Sequence, residues 1–187
     1  GIQNPFGKFS VGDATELTYP GNRFDVAVSG LVLNFVPDNQ AAIREMVRIV
    51  RPGGIVASYV WDYAGHMQIM RYFFDTARDF DSASMEYDDG IRAPICRPKP
   101  LEVAFSKAGL KDVKVEAIDI PTPFENFDEY WQPFLGGTGS APQYCMLLDE
   151  PLRIRIRDAL KNKLPTGPDG EILLAARAWA VKGFKPS

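Results

Sequence analysis

Two short apolar runs bracketing one amphipathic helix constrain this chain more than any other feature. Phe24-Asp25-Val26-Ala27-Val28-Ser29 and Ile55-Val56-Ala57-Ser58-Tyr59-Val60 are rich in β-branched residues and apolar on both faces, the pattern of parallel strands covered by helices on both sides. Between them Asp38 is placed to cap a helix whose residues Ile43, Met46, Val47 and Val50 follow the i, i+3, i+4, i+7 rule. Arg48 and Arg51 suit its C-terminal dipole end, and Pro52-Gly53-Gly54 is expected to stop it. Strand, helix and strand in this order make a βαβ unit with a right-handed crossover.

The rest of the chain continues the alternation. Leu101, Ala104, Phe105 and Ala108 form the stripe of a helix opened by Pro98-Lys99-Pro100 and closed by Gly109. Val113 to Ile120 reads as a strand ended by Pro121, and Ile172 to Val181 as the last strand, after the turn Asp169-Gly170. Residues 62–99 and 122–169 stand outside the pattern as insertions of the lid or binding-loop kind. Ile69, Phe73, Thr76, Ala77 and Phe80 predict a helix in the first; helices are expected near Phe127–Leu135 and Glu150–Leu164 in the second. The expected fold class is α/β, a single Rossmann-like sandwich with a mostly parallel sheet, an antiparallel last strand and helical insertions.

Composition sets limits on function. With 187 residues the chain makes one domain, and a net charge of −3 gives no basic face for nucleic acid or an anionic membrane. No apolar run is long enough to span a bilayer, and Gly1-Ile2-Gln3-Asn4-Pro5 lacks a signal-peptide pattern. Two cysteines and one histidine provide neither a disulfide framework nor a structural metal site. The expectation is a reduced, cytoplasmic, soluble domain without metal.

Gly12-Asp13-Ala14, then Arg23-Phe24-Asp25-Val26-Ala27-Val28-Ser29, then Arg48-Ile49-Val50-Arg51-Pro52-Gly53-Gly54 resemble, in order and spacing, the second half of a class I S-adenosylmethionine-dependent methyltransferase. The resemblance is to the type 11, ubiquinone- and menaquinone-biosynthesis-like small-molecule group; it is dense over residues 9–61 and looser over 98–121 and 171–182. It implies a sheet ordered 3-2-1-4-5-7-6 and S-adenosylmethionine as cofactor. Asp13 would accept from the adenine amino group and the Ala14 N–H would face a ring nitrogen, although Asp13 also reads as a turn residue before Thr15. Ser29, Gly30 and Leu31 would run along the cofactor; Leu31 with Val32 and Leu33 also reads as core.

The resemblance also implies two strands and two helices ahead of residue 9, including a Gly-rich loop and a ribose-binding acid, which this sequence does not contain. Phe9-Ser10-Val11 would be a strand separated from the others, and the apolar edge at Phe24–Ser29 would be bare. From that edge follows association with another copy as a homo-oligomer, and from the missing loop and acid follows weak binding of cofactor by this chain alone.

The family places its substrate over the ends of its fourth and fifth strands, which points to Asp62, Tyr63 and His66 as catalytic candidates around a small-molecule methyl acceptor. His66 alone titrates near neutrality unperturbed, yet a surface histidine is the plainer reading; Asp62 reads equally as a cap for the next helix. Phe127, Tyr130, Trp131 and Phe134 share one helical face, as packing or as the apolar wall of a pocket. Gly136-Gly137-Thr138-Gly139-Ser140 follows a helix rather than a strand, so it reads as a flexible lid loop and not a phosphate cradle. A non-catalytic oligomerisation or interaction module is the competing reading. A nicotinamide-dependent reductase is not supported, since neither Tyr-x-x-x-Lys nor a strand followed by a Gly-rich loop is present.

Overall fold

The βαβ unit forms where the apolar runs put it. In a computed structural model that describes residues 7–187, β1 (Phe24–Gly30) leads through α1 (Asn39–Ile49) to β2 (Val50–Trp61), which lies parallel to β1. Asp38 caps α1 by accepting the Ala41 N–H at 2.8 Å. Ala42, Ile43, Met46 and Ile49 form its buried face.

The expected stop at Pro52-Gly53-Gly54 is corrected. The helix ends at Ile49 and the chain enters β2 at once, so Val50 and Arg51 are strand residues. The Pro-Gly-Gly run is an irregularity inside that strand, where the register passes from Phe24↔Val50 to Val26↔Ile55. Gly53 has a left-handed φ of 75°. At Gly54 a Cβ would lie 2.6 Å from the Asp25 carbonyl, so a side chain there would drive β1 and β2 apart. Arg51 reaches across this point to Asp25 at 2.7 Å.

After β2 come α2 (Gln68–Phe80), the single-turn α3 (Asp89–Arg92) and α4 (Pro98–Lys107). Then follow β3 (Lys111–Phe124), α5 (Phe127–Trp131), α6 (Ser140–Leu147), α7 (Glu150–Lys163) and β4 (Ile172–Phe184). Among the described residues the sheet has the order β1-β2-β4-β3. β4 is antiparallel to both neighbours, so three strands share one direction and the last is reversed. This is the order and the final reversal that the resemblance implies. Phe9-Ser10-Val11 pairs with no strand here and is exposed.

β3 overruns its predicted end, continuing through Pro121 and Pro123 to Phe124. It is an edge strand, and residues two apart present their backbone nitrogens to the same side. Both prolines can therefore face outward without breaking the ladder to β4.

Two hydrophobic clusters result. α1 and α4 cover one face of the sheet around Val56, Val60 and Val181. The two insertions meet each other over Ile172 and Leu174 on the opposite face. Phe73 and Phe134 stack at 4.6 Å there, so the predicted aromatic stripe is packing. The Gly136–Ser140 segment is corrected in part: Gly137 and Gly139 are left-handed, but the chain then starts α6, whose Ala141, Tyr144 and Cys145 are buried. No helix of the described residues is long and apolar enough to cross a membrane.

Candidate active site

The C-terminal ends of β1 and β2 set the geometry. Beyond Gly30 the chain turns sharply at Leu31, which takes the left-handed φ of 56° rare for a side chain with a Cβ. Its N–H donates to the Tyr59 carbonyl at 2.8 Å, locking the turn to β2. Gly30 lies directly against Tyr59: a Cβ there would be 2.7 Å from the ring carbon Cζ. Glycine at position 30 is thus what lets the phenol lie across the end of β1.

A cleft of about 500 Å³ runs along the outer edge of β1, lined by Ala14, Leu17, Tyr19, Val28, Ser29, Gly30, Leu33 and Met46 among others. None of its lining side chains is charged. A smaller, wholly apolar hollow of about 180 Å³ lies on the other side of the turn, between Leu31, Tyr59, Trp61, Ile118, Ile120 and Ala178.

Of the cofactor candidates, Ala14, Ser29 and Gly30 line the larger cleft and Leu31 the smaller hollow. Asp13 lines neither. Its Oδ1 accepts from the Thr15 N–H and hydroxyl, both at 2.7 Å, and these bonds hold its carboxyl below the usual carboxylate range. The turn reading of Asp13 is therefore realised, with Oδ2 left to meet an outside donor. The cleft has room for an adenosine-sized group and offers backbone from Ala14 and Ser29–Gly30. No carboxylate is among its lining side chains.

The catalytic candidates do not converge on either space. Asp62 is buried and organises the loop into α2: its Oδ2 accepts the His66 N–H at 2.9 Å, and its carbonyl accepts the N–H of Gly65 and of Met67. Gly65 is required because a Cβ there would press on that carboxylate. Tyr63 packs against the first cluster instead of facing an opening. Burial, reinforced by Asp89 and Cys96, pushes its phenol up to about 12, so it is no base at neutral pH.

His66 is half-buried beside Asp119 and Arg177, and its carbonyl accepts the Arg177 N–H at 3.1 Å. Arg177 donates two bonds to Asp119, at 2.6 and 2.7 Å, which hold that carboxyl below its usual range. Tyr59, Asp119 and Arg177 are the residues sequence reasoning missed. Counting alternate residues from Trp61 would have put Tyr59 beside it on the open face; nothing local marks the Asp119–Arg177 pair, which depends on the β3–β4 register.

A sheet ordered β1-β2-β4-β3 with the last strand reversed, and a glycine turn at the end of β1, makes a Rossmann-like α/β arrangement. Residues 2–58 match the protein-family model described as "Methyltransferase domain". A demethylmenaquinone methyltransferase of Lysinibacillus sphaericus is 31% identical over 116 residues, which are 57% of this chain and 50% of that protein. A 2-methyl-6-phytyl-1,4-hydroquinone methyltransferase of Synechocystis is 34% identical over 68 residues, 36% of this chain and 21% of its own length. The chain spans about half the length of the first of these relatives.

Among solved structures, a candidate methyltransferase of Bacillus halodurans superposes with a TM-score of 0.54 at 14% identity, over 94% of this chain and 70% of that one. The YcgJ protein of Bacillus subtilis gives 0.50 at 16%, over 94% and 70%. At such identities the structures show a shared fold and no more. The resemblance read from the sequence is borne out: residues 2–58 match the methyltransferase model, and the fold is shared with the Bacillus halodurans structure over 94% of the chain.

Proposed function

We propose that this chain serves S-adenosylmethionine-dependent methyl transfer to a small, flat, apolar acceptor. The observation that carries the reading is the Ser29–Leu31 turn, which separates a cofactor-sized cleft from an apolar hollow walled by Tyr59 and Trp61. The relatives named for quinone and hydroquinone methylation support an acceptor of that shape.

When bound, S-adenosylmethionine would supply an electrophilic methyl group. The protein's share is positioning and exclusion of water. Ala14 and Ser29–Gly30 would hold the adenine end by backbone; Leu31, Tyr59 and Trp61 would form the dry wall. Asp62 fixes the loop carrying His66 and acts on the chain, not on substrate.

A second reading keeps this chain as a non-catalytic module with the methyltransferase fold. Titrating 15N-labelled protein with S-adenosylhomocysteine separates the two. The first reading expects amide shifts at Ala14 and Ser29–Leu31 with an affinity of about millimolar, on the order of 4 kcal/mol. Absence of shifts at these residues overturns it. Micromolar affinity by calorimetry would overturn the argument that the ribose end lacks a partner.

A further inference from the structure

The last turn of α1 is bonded to the segment that runs ahead of β1. Arg48 donates to the Leu17 carbonyl at 2.8 Å and to the Tyr19 carbonyl at 2.9 Å. Glu45, three residues earlier on the helix, accepts the Leu17 N–H at 2.8 Å. The two side chains also hold each other, Arg48 donating to both carboxylate oxygens at 2.7 and 2.8 Å. One charged pair thus grips Leu17 by its N–H and its carbonyl together. Further along, the Arg48 and Ile49 carbonyls at the helix end accept the Asn22 and Arg23 N–H groups at 3.0 and 2.7 Å.

What the pair holds is a wall of the larger cleft. Ala14, Leu17 and Tyr19 line that cleft, as do Ala42, Met46 and Ile49 of α1. Glu45 and Arg48 are not among the lining residues and reach it only through the backbone of Leu17 and Tyr19. Apolar contact restrains the wall loosely: Ala14 and Leu17 are partly buried against the first cluster, and Tyr19 meets Phe24 edge-on yet is 37% exposed. The bonds from Asp13 to Thr15 are local, so they shape the segment without attaching it to the fold. Hydrogen bonding from Arg48 keeps the Glu45 carboxyl below the usual carboxylate range, so it remains an acceptor at neutral pH.

We propose that Glu45 and Arg48 are positioning residues for the cofactor: from outside the cleft they set where residues 14–19 stand, and so how well the Ala14 backbone receives the adenine end. The proposal rests on the cofactor reading given above and adds the residues that keep the receiving backbone in place before ligand arrives. A wall that is in place only a fraction of the time lowers the apparent affinity by that fraction. Ser29–Leu31 is fixed separately, by β1 and by the bond from the Leu31 N–H to Tyr59. Loosening the pair therefore weakens one half of the contact and leaves the other intact.

The test uses the 15N-labelled full chain and three variants, each followed by amide hydrogen exchange without ligand and by titration with S-adenosylhomocysteine. Arg48→Met keeps the apolar stem and removes the bonds to Leu17 and Tyr19. Glu45→Gln keeps an acceptor for the Leu17 N–H but gives up the charge that holds Arg48. Arg44→Met is the control, since Arg44 lies on the same helix and only approaches Asp38 at 4.0 Å, with both side chains exposed. In Arg48→Met the Leu17 amide should exchange about tenfold faster, and S-adenosylhomocysteine should bind about fivefold more weakly. The shift at Ala14 should shrink while those at Ser29–Leu31 keep their pattern, a split that a general loss of stability would not produce. Glu45→Gln should fall between, and Arg44→Met should match the unsubstituted chain. Circular dichroism checks folding, and Glu45→Gln carries the comparison should Arg48→Met unfold. Equal affinity with and without the pair, or an unchanged Leu17 amide, overturns the proposal and leaves the cofactor reading standing. An unsubstituted chain with a protected Leu17 amide and no shifts at Ala14 or Ser29–Leu31 overturns the cofactor reading, and the proposal with it.

Discussion

Replacing Arg71 by methionine should destabilise the protein more than any other single change of surface charge. Arg71 lies on α2 with its side chain 12% exposed, and its main partner Asp88 is 5% exposed. The guanidinium makes a two-pronged contact with Asp88, at 2.8 and 2.7 Å, and also donates to Asp75 at 3.1 Å and to the Tyr63 carbonyl at 2.9 Å. Methionine keeps the apolar stem but strands the Asp88 carboxylate in a site with little access to water. Breaking such a pair from one side costs about 3–5 kcal/mol, a large share of a typical domain's about 5–15 kcal/mol.

With a urea m-value of about 2 kcal/mol per molar, the unfolding midpoint should fall by about 2 M, followed by tryptophan fluorescence. The control is Arg78→Met: Arg78 pairs with Asp75 at 3.2 Å, but both side chains are about half exposed, so the loss should stay under about 1 kcal/mol. An Arg71→Met loss below about 1 kcal/mol, or equal losses for the two variants, would refute the claim that burial of Asp88 governs the effect.

Gly54→Ala should cost about 1–3 kcal/mol by thermal or urea unfolding, because the Asp25 carbonyl and Arg51 backbone occupy the space and neither can swing aside. Gly109→Ala, left-handed but in open space, should cost only about 1 kcal/mol, which isolates the steric part at Gly54. The Asp119 carboxyl should titrate below 3.8 by NMR and return toward that value in Arg177→Gln. Since its folded pKa is depressed, the pair's contribution is present above the unfolded pKa and is lost as pH falls through the folded one. An unshifted midpoint would mean the two bonds are not maintained in solution.

The elements a local pattern can specify were legible, and those set by distant partners were not. β1, α1 and β2 follow from periodicity and from Asp38, all within one short stretch. The role of Pro52-Gly53-Gly54 was misread because a bulge and a helix stop use the same residues; only the Asp25 carbonyl beneath Gly54 distinguishes them. Pro121 looked like an end because nothing in the sequence says that β3 lies at the edge. α6 escaped because its buried Ala141, Tyr144 and Cys145 follow three glycines and make a weak stripe. At the site, Ser29-Gly30-Leu31 and Ala14 were named from resemblance and lie beside the two hollows. Asp62 was ambiguous in sequence; its bond to the His66 N–H settles its contact with the loop, which residue identity alone does not disclose.

β4 explains why the inserted helices cannot be treated as an appendage to the sheet. Ile172 and Leu174 point into the second cluster, while Val181 points into the first. Their positions differ in parity, so one strand supplies opposite faces to two cores. Between them Ala176 and Ala178 keep the changeover small, with Trp179 and Arg177 on the reverse side. Removing α2 or α5 to α7 would expose Ile172 and Leu174 and leave half of β4 without a covered face. Any opening of these helices over the strand ends must also part Phe73 from Phe134 and break the Tyr130 hydroxyl's bond to the Ile69 carbonyl at 3.0 Å. Movement that admits an acceptor is therefore cheaper at the Leu31–Tyr59–Trp61 side, where no helix lies over the sheet, than through the aromatic cluster.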